Sequence, residues 1–260
     1  MKIIHLIPLR NRLILELELV TREPLHIGAP VEEKDPLKRI LKVHTPDMGE
    51  VFIIPSSSIK GVLRAEAEKI APVIFSQNKE LLKILKEHGK KGHGKNRDEE
   101  RNRELECPIC RLFGSKYLAA KLRLSDAISA RKTDLEIRPG IGIDRMTQTT
   151  KKNILYEVET LPTDVLFHLT LIADNIDKQE GLLLAILLEE LTNTDFEGFL
   201  QFGGRKSVGY GSLIVNEKGS KGYFIEFNKT LSENLKKLFL VEEKPRSIPE
   251  IINMLRNLSE

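Results

Sequence analysis

The chain has 260 residues, 40% hydrophobic and 30% charged, which is ample for a buried core in one large domain or two small ones. It lacks an apolar run of about 18 residues and the residue order of a secretory signal, so a cytoplasmic chain with no membrane contact is expected. With 41 basic and 38 acidic residues the net charge is only +3, so any hold on nucleic acid must come from charge gathered on one surface.

Residues 11–22 alternate, placing Leu13, Leu15, Leu17 and Leu19 on one face of a half-buried strand. Pro24-Leu25-His26-Ile27-Gly28 follows, then a polar loop through Asp35-Pro36 to Lys38-Arg39. Residues 51–54 form a short strand ending at Pro55. Ser56-Ser57-Ser58 is expected to cap a helix whose inner face carries Ile59, Val62, Leu63 and Ile70. Lys60 and Arg64 are neighbours on its surface, and Gly61 between them costs about 1 kcal/mol of helix propensity. That cost suits a backbone that a ligand approaches closely. A helix start with orphan N–H groups, serines and two cations is a phosphate site in type; an ordinary cap with solvated charges is the alternative.

From residue 76 to 106 the chain turns polar and glycine-punctuated, with no regular structure expected, and it ends in Cys107-Pro108-Ile109-Cys110. Two thiols at this spacing suit one metal ion, and His88 or His93 upstream would complete a tetrahedral zinc site holding the loop. Two free buried cysteines or a redox pair are the alternatives; a redox pair would stand at a helix start in a thioredoxin-like βαβ pattern. With only two cysteines, a secreted disulfide scaffold is not expected.

Residues 121–128 alternate again, and 135–161 read as a long hairpin whose tip carries Ile141, Asp144, Arg145 and Met146. Apolar side chains beside cations can wedge between bases, or serve a subunit contact. A strand over 165–172 and a helix from about Gln179 to Glu190 precede Phe202–Gly211. Here four glycines in nine positions flank Arg205, Lys206 and Ser207. Gly203 and Gly204 let main-chain N–H groups approach an anion, although a plain turn would need similar residues. A strand over 212–215 and helical stretches around 231–240 and 248–258 complete the chain. The order strand, helix, strand, strand, helix, strand is that of an α+β, ferredoxin-like (RRM-like) sheet with helices on one face.

No Ser/His/acid set or His-Glu-x-x-His appears. Asp35, in a loop beside Lys38 and Arg39, could hold a magnesium ion or orient a 2′-hydroxyl; a solvated Asp-Pro turn is the plain alternative. Tryptophan is absent and aromatics are 5%, so phosphate and shape contacts are expected over base-stacking platforms.

Taken in order, these segments resemble the RAMP superfamily of CRISPR proteins, and more narrowly the backbone subunit of type III (Csm-type) interference complexes. The resemblance rests on Leu25–Gly28, Ile54–Arg64, Cys107–Gly114, Gly140–Arg145 and Gly203–Gly211. It implies an RRM-like RAMP domain over 1–228, with a zinc-stapled insertion at 76–116 and a thumb hairpin at 134–162, and a C-terminal helical extension over 229–260. His26, Ser57, Ser58, Lys60, Gly61, Arg64 and Gly203, Gly204, Arg205, Lys206, Ser207 would then contact guide RNA. Ile141, Asp144, Arg145 and Met146 would form the thumb wedge against a complementary target RNA. Cys107 and Cys110 with His88 or His93 would bind structural zinc, and Asp35 would cut target RNA with a magnesium or manganese ion. Further copies, paralogues and other subunits of the ribonucleoprotein complex are the implied partners. The sequence departs from the family pattern at Pro36, directly after the aspartate, and at Ser56, where glycine is common. A non-catalytic scaffolding paralogue, a guide-processing RAMP endoribonuclease acting through His26 or His44, and a metal-stapled protein-interaction module are the rival readings.

Overall fold

The computed structural model describes residues 8–29, 37–87, 97–193, 200–227, 230–239 and 243–258. The alternating leucines form β1 (Asn11–Thr21), with Leu13, Leu15, Leu17 and Leu19 buried on one side as the period requires. Three short strands follow, β2 (Leu37–Lys38), β3 (Lys42–Thr45) and β4 (Gly49–Ile54), before helix α1 (Ser56–Ile74). The segment to residue 113 holds α2 (Lys79–Glu87), α3 (Arg97–Glu106) and α4 (Pro108–Phe113). Strands β5 (Leu122–Leu124) and β6 (Ala127–Ser129) lead into the hairpin β7 (Glu136–Ile143) and β8 (Thr150–Thr160), then β9 (Leu166–Asp174). Helix α5 (Lys178–Thr192), strands β10 (Leu213–Val215) and β11 (Lys221–Glu226), and helices α6 (Leu231–Leu238) and α7 (Ile248–Arg256) complete the described elements.

The main sheet runs β10-β1-β9-β6-β4-β3, with β11 also on β1 and β5 also on β9. All its pairings are antiparallel. Taking β1, α1, β5/β6, β9, α5 and β10 as the six core elements, the strands stand in spatial order four-one-three-two. This is the ferredoxin-like arrangement expected from the element order. Helices α1 and α5 cover one face: Ile59 and Leu63 meet Leu184, Leu187 and Leu188 over Leu17, Leu19, Leu169 and Leu171. Helix α7 packs on α5 and β11 and brings Ile248, Ile251, Ile252 and Leu255 into the same core.

Three local expectations are corrected. The serines do not cap α1: Pro55 is the N-cap residue, without a side-chain bond, and the Ser56 amide donates to Asp126 Oδ1 at 2.7 Å. That aspartate lies in a short break that divides the strand expected over 121–128 into β5 and β6, both paired with β9. The polar insertion contains regular helices. In α2, Leu81, Ile84 and Leu85 are buried at helical spacing. Helix α3 has almost no apolar face; Arg103 pairs with Glu99 at 2.8 Å and with Glu87 of α2. The nearly buried Glu104 of α3 accepts from the Ser115 hydroxyl at 2.7 Å and the Tyr117 amide at 3.3 Å. Charge pairing and one committed carboxylate thus order a segment that hydropathy alone would leave irregular.

Candidate nucleic-acid interface

The glycine loop closes on itself through the Phe202 amide, which donates to the Gly211 carbonyl at 2.8 Å. It docks on the segment after β1: the Gly211 amide donates to the Pro24 carbonyl and the Gly204 amide to the His26 carbonyl, both at 2.9 Å. Gly203 has φ +76°, and a Cβ there would overlap the His26 carbonyl oxygen, so both conformation and space demand glycine. Gly204, Lys206 and Ser207 face solvent.

His26 is only 7% exposed. Its Nδ1 lies 2.8 Å from the Glu159 carbonyl of β8; because a carbonyl only accepts, Nδ1 carries the proton. The Leu25 and Leu161 main chains exchange two hydrogen bonds, at 3.0 and 2.8 Å, and Glu159 Oε2 accepts the Ile40 amide at 2.9 Å. Strand β2 pairs in parallel with β8, Leu37 opposite Glu157 and Lys38 opposite Val158. The segment Pro24–Gly28 therefore ties the glycine loop to the base of the hairpin, and its Ile27 carbonyl also accepts the Leu41 amide at 2.8 Å, just after β2. Asp35, His88 and His93 lie outside the described residues.

The expected hairpin is β7 paired with β8, in a separate three-stranded sheet with β2 and with a register irregularity between Ile141 and Ile143. Ile137, Ile141 and Ile143 are exposed, and Met146 is 94% exposed. Asp144 shapes the tip: its Oδ1 accepts the Met146 amide at 2.8 Å and the Thr147 amide at 3.1 Å. Bonds from the Thr147 and Met146 amides hold its carboxyl below the usual carboxylate range. Asp144 thus builds the turn that presents Arg145 and Met146.

The start of α1 forms a second group. Ser57, Ser58 and Gly61 are exposed, and a Cβ at Gly61 would meet nothing within 4 Å. The Lys60 ammonium donates to the Leu122 carbonyl at 3.1 Å; burial and then the neighbouring Arg64 lower its pKa. Arg64 donates to the Gly114 carbonyl at 3.0 Å and to Glu68 at 2.9 Å. Four strand spacings separate β10, which follows the glycine loop, from β4, which precedes α1, or about 20 Å across the sheet.

Cys107 is the N-cap residue of α4, with Pro108 at its first position, and both thiols are buried. A hydrogen bond to Cys107, then burial, push the Cys110 thiol up. The pair does stand at a helix start, but burial and a raised pKa oppose the thiolate that redox exchange needs. A zinc ion would find two thiols in one turn here; among the described residues no third metal-ligating side chain joins them, and Glu104 is engaged elsewhere.

What sequence reading missed is aromatic. Tyr156 of β8 and Tyr210 at the loop's end gather the nearby cations: Arg205 stands 4.7 Å and 5.9 Å from their ring centroids, Lys38 5.2 Å from Tyr156, and Arg138 5.7 Å from Tyr210. The Arg205 guanidinium also donates to the Tyr156 hydroxyl. Two isolated tyrosines carry no spacing signal, and 54 positions separate them in the chain.

The RAMP superfamily model matches residues 18–214, most of the chain and every part of this interface. The chain belongs to the RAMP superfamily. Proteins of this superfamily are CRISPR-associated, RNA-binding and part of ribonucleoprotein complexes. The match runs from β1 into β10 and leaves β11, α6 and α7 outside it. No curated protein matches the chain. Among the described residues no helix is long and apolar enough to cross a membrane.

Proposed function

We propose that this RAMP protein is a guide-RNA-binding backbone subunit of a type III, Csm-type interference complex, assembling with further copies or paralogues along the CRISPR RNA. The observation that carries the reading is the hairpin. Ile137, Ile141, Ile143 and Met146 project from it into solvent, and its base is hydrogen-bonded to the segment on which the glycine loop docks. An exposed apolar edge beside a phosphate-type loop suits insertion between the bases of a guide–target duplex. Gly203, Gly204, Lys206 and Ser207 of the loop, with Ser57, Ser58, Lys60 and Arg64 of α1, would hold guide phosphates. His26 would serve by fixing the loop.

Target cleavage through Asp35 belongs to the same proposal. Its flanks are anchored: the Ala29 amide donates to the Arg39 carbonyl at 3.0 Å, and β2 is paired to the hairpin. The carboxylate would orient a 2′-hydroxyl of a displaced nucleotide and take its proton as that oxygen attacks the adjacent phosphorus; a cyclic phosphate forms as the P–O5′ bond breaks, and the 5′-oxygen leaves as a hydroxyl with a proton from water. A bound magnesium or manganese ion would stabilise charge on that phosphate. Cys107 and Cys110, with His88 or His93, would hold zinc and brace the insertion. The test is Asp35→Ala in the assembled complex. Target cutting should vanish while guide and target stay bound; unchanged cutting removes the catalytic role, and loss of guide RNA from the purified wild-type complex removes the backbone role.

A further inference from the structure

Arg205 has φ 64°, a left-handed conformation that a non-glycine residue adopts at a cost of about 1–2 kcal/mol, in a loop where glycine is the common residue. An arginine thus stands where the backbone favours glycine. Among the described residues, no carboxylate pairs with it: its charge rests on the rings of Tyr156 and Tyr210 and on the Tyr156 hydroxyl. Ring faces attract a guanidinium without neutralising it, so the cation stays available to an anion. Tyr156 in turn is seated where residue 140 has no side chain. Its ring lies over Gly140 of the facing strand, where any Cβ would overlap it, and Lys38 from β2 stands beside it. The loop cation is thereby held by a side chain of the hairpin, through a contact that spans three elements.

We infer that Tyr156 is a positioning residue that aims the Arg205 guanidinium at a backbone phosphodiester, so that one phosphate of bound RNA is placed at a fixed distance from the hairpin. This rests on the RNA-binding reading above and adds to it a residue that touches no RNA itself. The consequence is unusual: removing an uncharged side chain should remove one ionic contact with RNA.

The experiment measures affinity of the full chain for a fluorescein-labelled oligouridylate across a salt series. Each phosphate contact on a single strand contributes about 0.7 to the slope of log K against log salt. Arg205→Ala and Tyr156→Ala should each weaken binding about tenfold and each flatten the slope by about 0.7. The double variant should bind as each single one does. Tyr156→Phe, which keeps the ring over Gly140, should lose about threefold with an unchanged melting temperature. A tyrosine that merely supports the fold would lower the melting temperature and leave the slope alone. Tyr156→Ala with the wild-type slope, or Tyr156→Phe with wild-type affinity, overturns the aiming role while leaving RNA binding intact. Wild-type protein with no salt-dependent affinity at all overturns the RNA-binding reading beneath it.

Discussion

Gly203→Ala probes the docking of the glycine loop, and the structure sets its size. Alanine at φ +76° carries about 1–2 kcal/mol of conformational cost. Its Cβ would also collide with the His26 carbonyl oxygen, the acceptor of the Gly204 amide, so that bond, worth about 1 kcal/mol, should be lost too. Together these disfavour the docked loop by about 2–3 kcal/mol, which lowers its occupancy and the apparent RNA affinity by up to about 30- to 150-fold. Gly209→Ala is the matched control. Its φ is +78°, but nothing lies within 4 Å of an added Cβ. It should show only the conformational part, about 5- to 30-fold. Fluorescence anisotropy with a short single-stranded RNA reads both, and circular dichroism confirms folding. If Gly209→Ala weakens binding as much as Gly203→Ala, docking on His26 is not what the loop needs. If neither variant changes affinity, the loop is not part of the RNA site.

Other consequences can be measured on the same protein. Glu180 is fully buried and accepts from Arg111 at 2.8 Å and Lys121 at 2.6 Å, joining α4 and the residue before β5 to α5; Glu180→Gln should lower unfolding free energy in urea by about 3 kcal/mol. Burial opposes ionisation of Asp174, but hydrogen bonds from Arg12 and Arg123 outweigh it and hold the carboxyl below its ordinary range. Its contribution is therefore complete above the unfolded value of about 4 and fades as pH falls through the lower folded value, and Asp174→Asn should flatten that acid-side loss in melting temperature. Met146→Asp, at a position 94% exposed, should leave the melting temperature unchanged while weakening capture of target RNA by the guide-loaded complex.

The parts of the fold legible in sequence were those set by local periodicity. The leucines of β1 announced a one-faced strand, the apolar run before residue 190 announced a helix, and a segment too polar for the core over 135–161 announced the hairpin. The glycines before residue 212 marked the loop because main-chain geometry at Gly203 admits nothing else. The rest depended on partners far away in the chain. Asp126 accepts the first amide of α1 from 70 residues later, and Tyr156 meets Arg205 across 49. Helix α3 was hidden for a different reason: it is held by ion pairs and by Glu104, and such pairing leaves no hydrophobic pattern to read. The resemblance set His26 among the RNA-contacting residues; in the structure it is enclosed, its ring and its carbonyl both occupied in joining the loop to the hairpin.

Ultraviolet crosslinking of the natively purified complex, followed by mapping of the peptides that carry nucleotide, tests most directly whether these separated segments grip one RNA. The account predicts adducts in three places: the hairpin tip around Arg145 and Met146, the loop from Gly203 to Gly211, and the start of α1 at Ser57 and Ser58. Adducts confined to α6 and α7, or none on the protein at all, would contradict it.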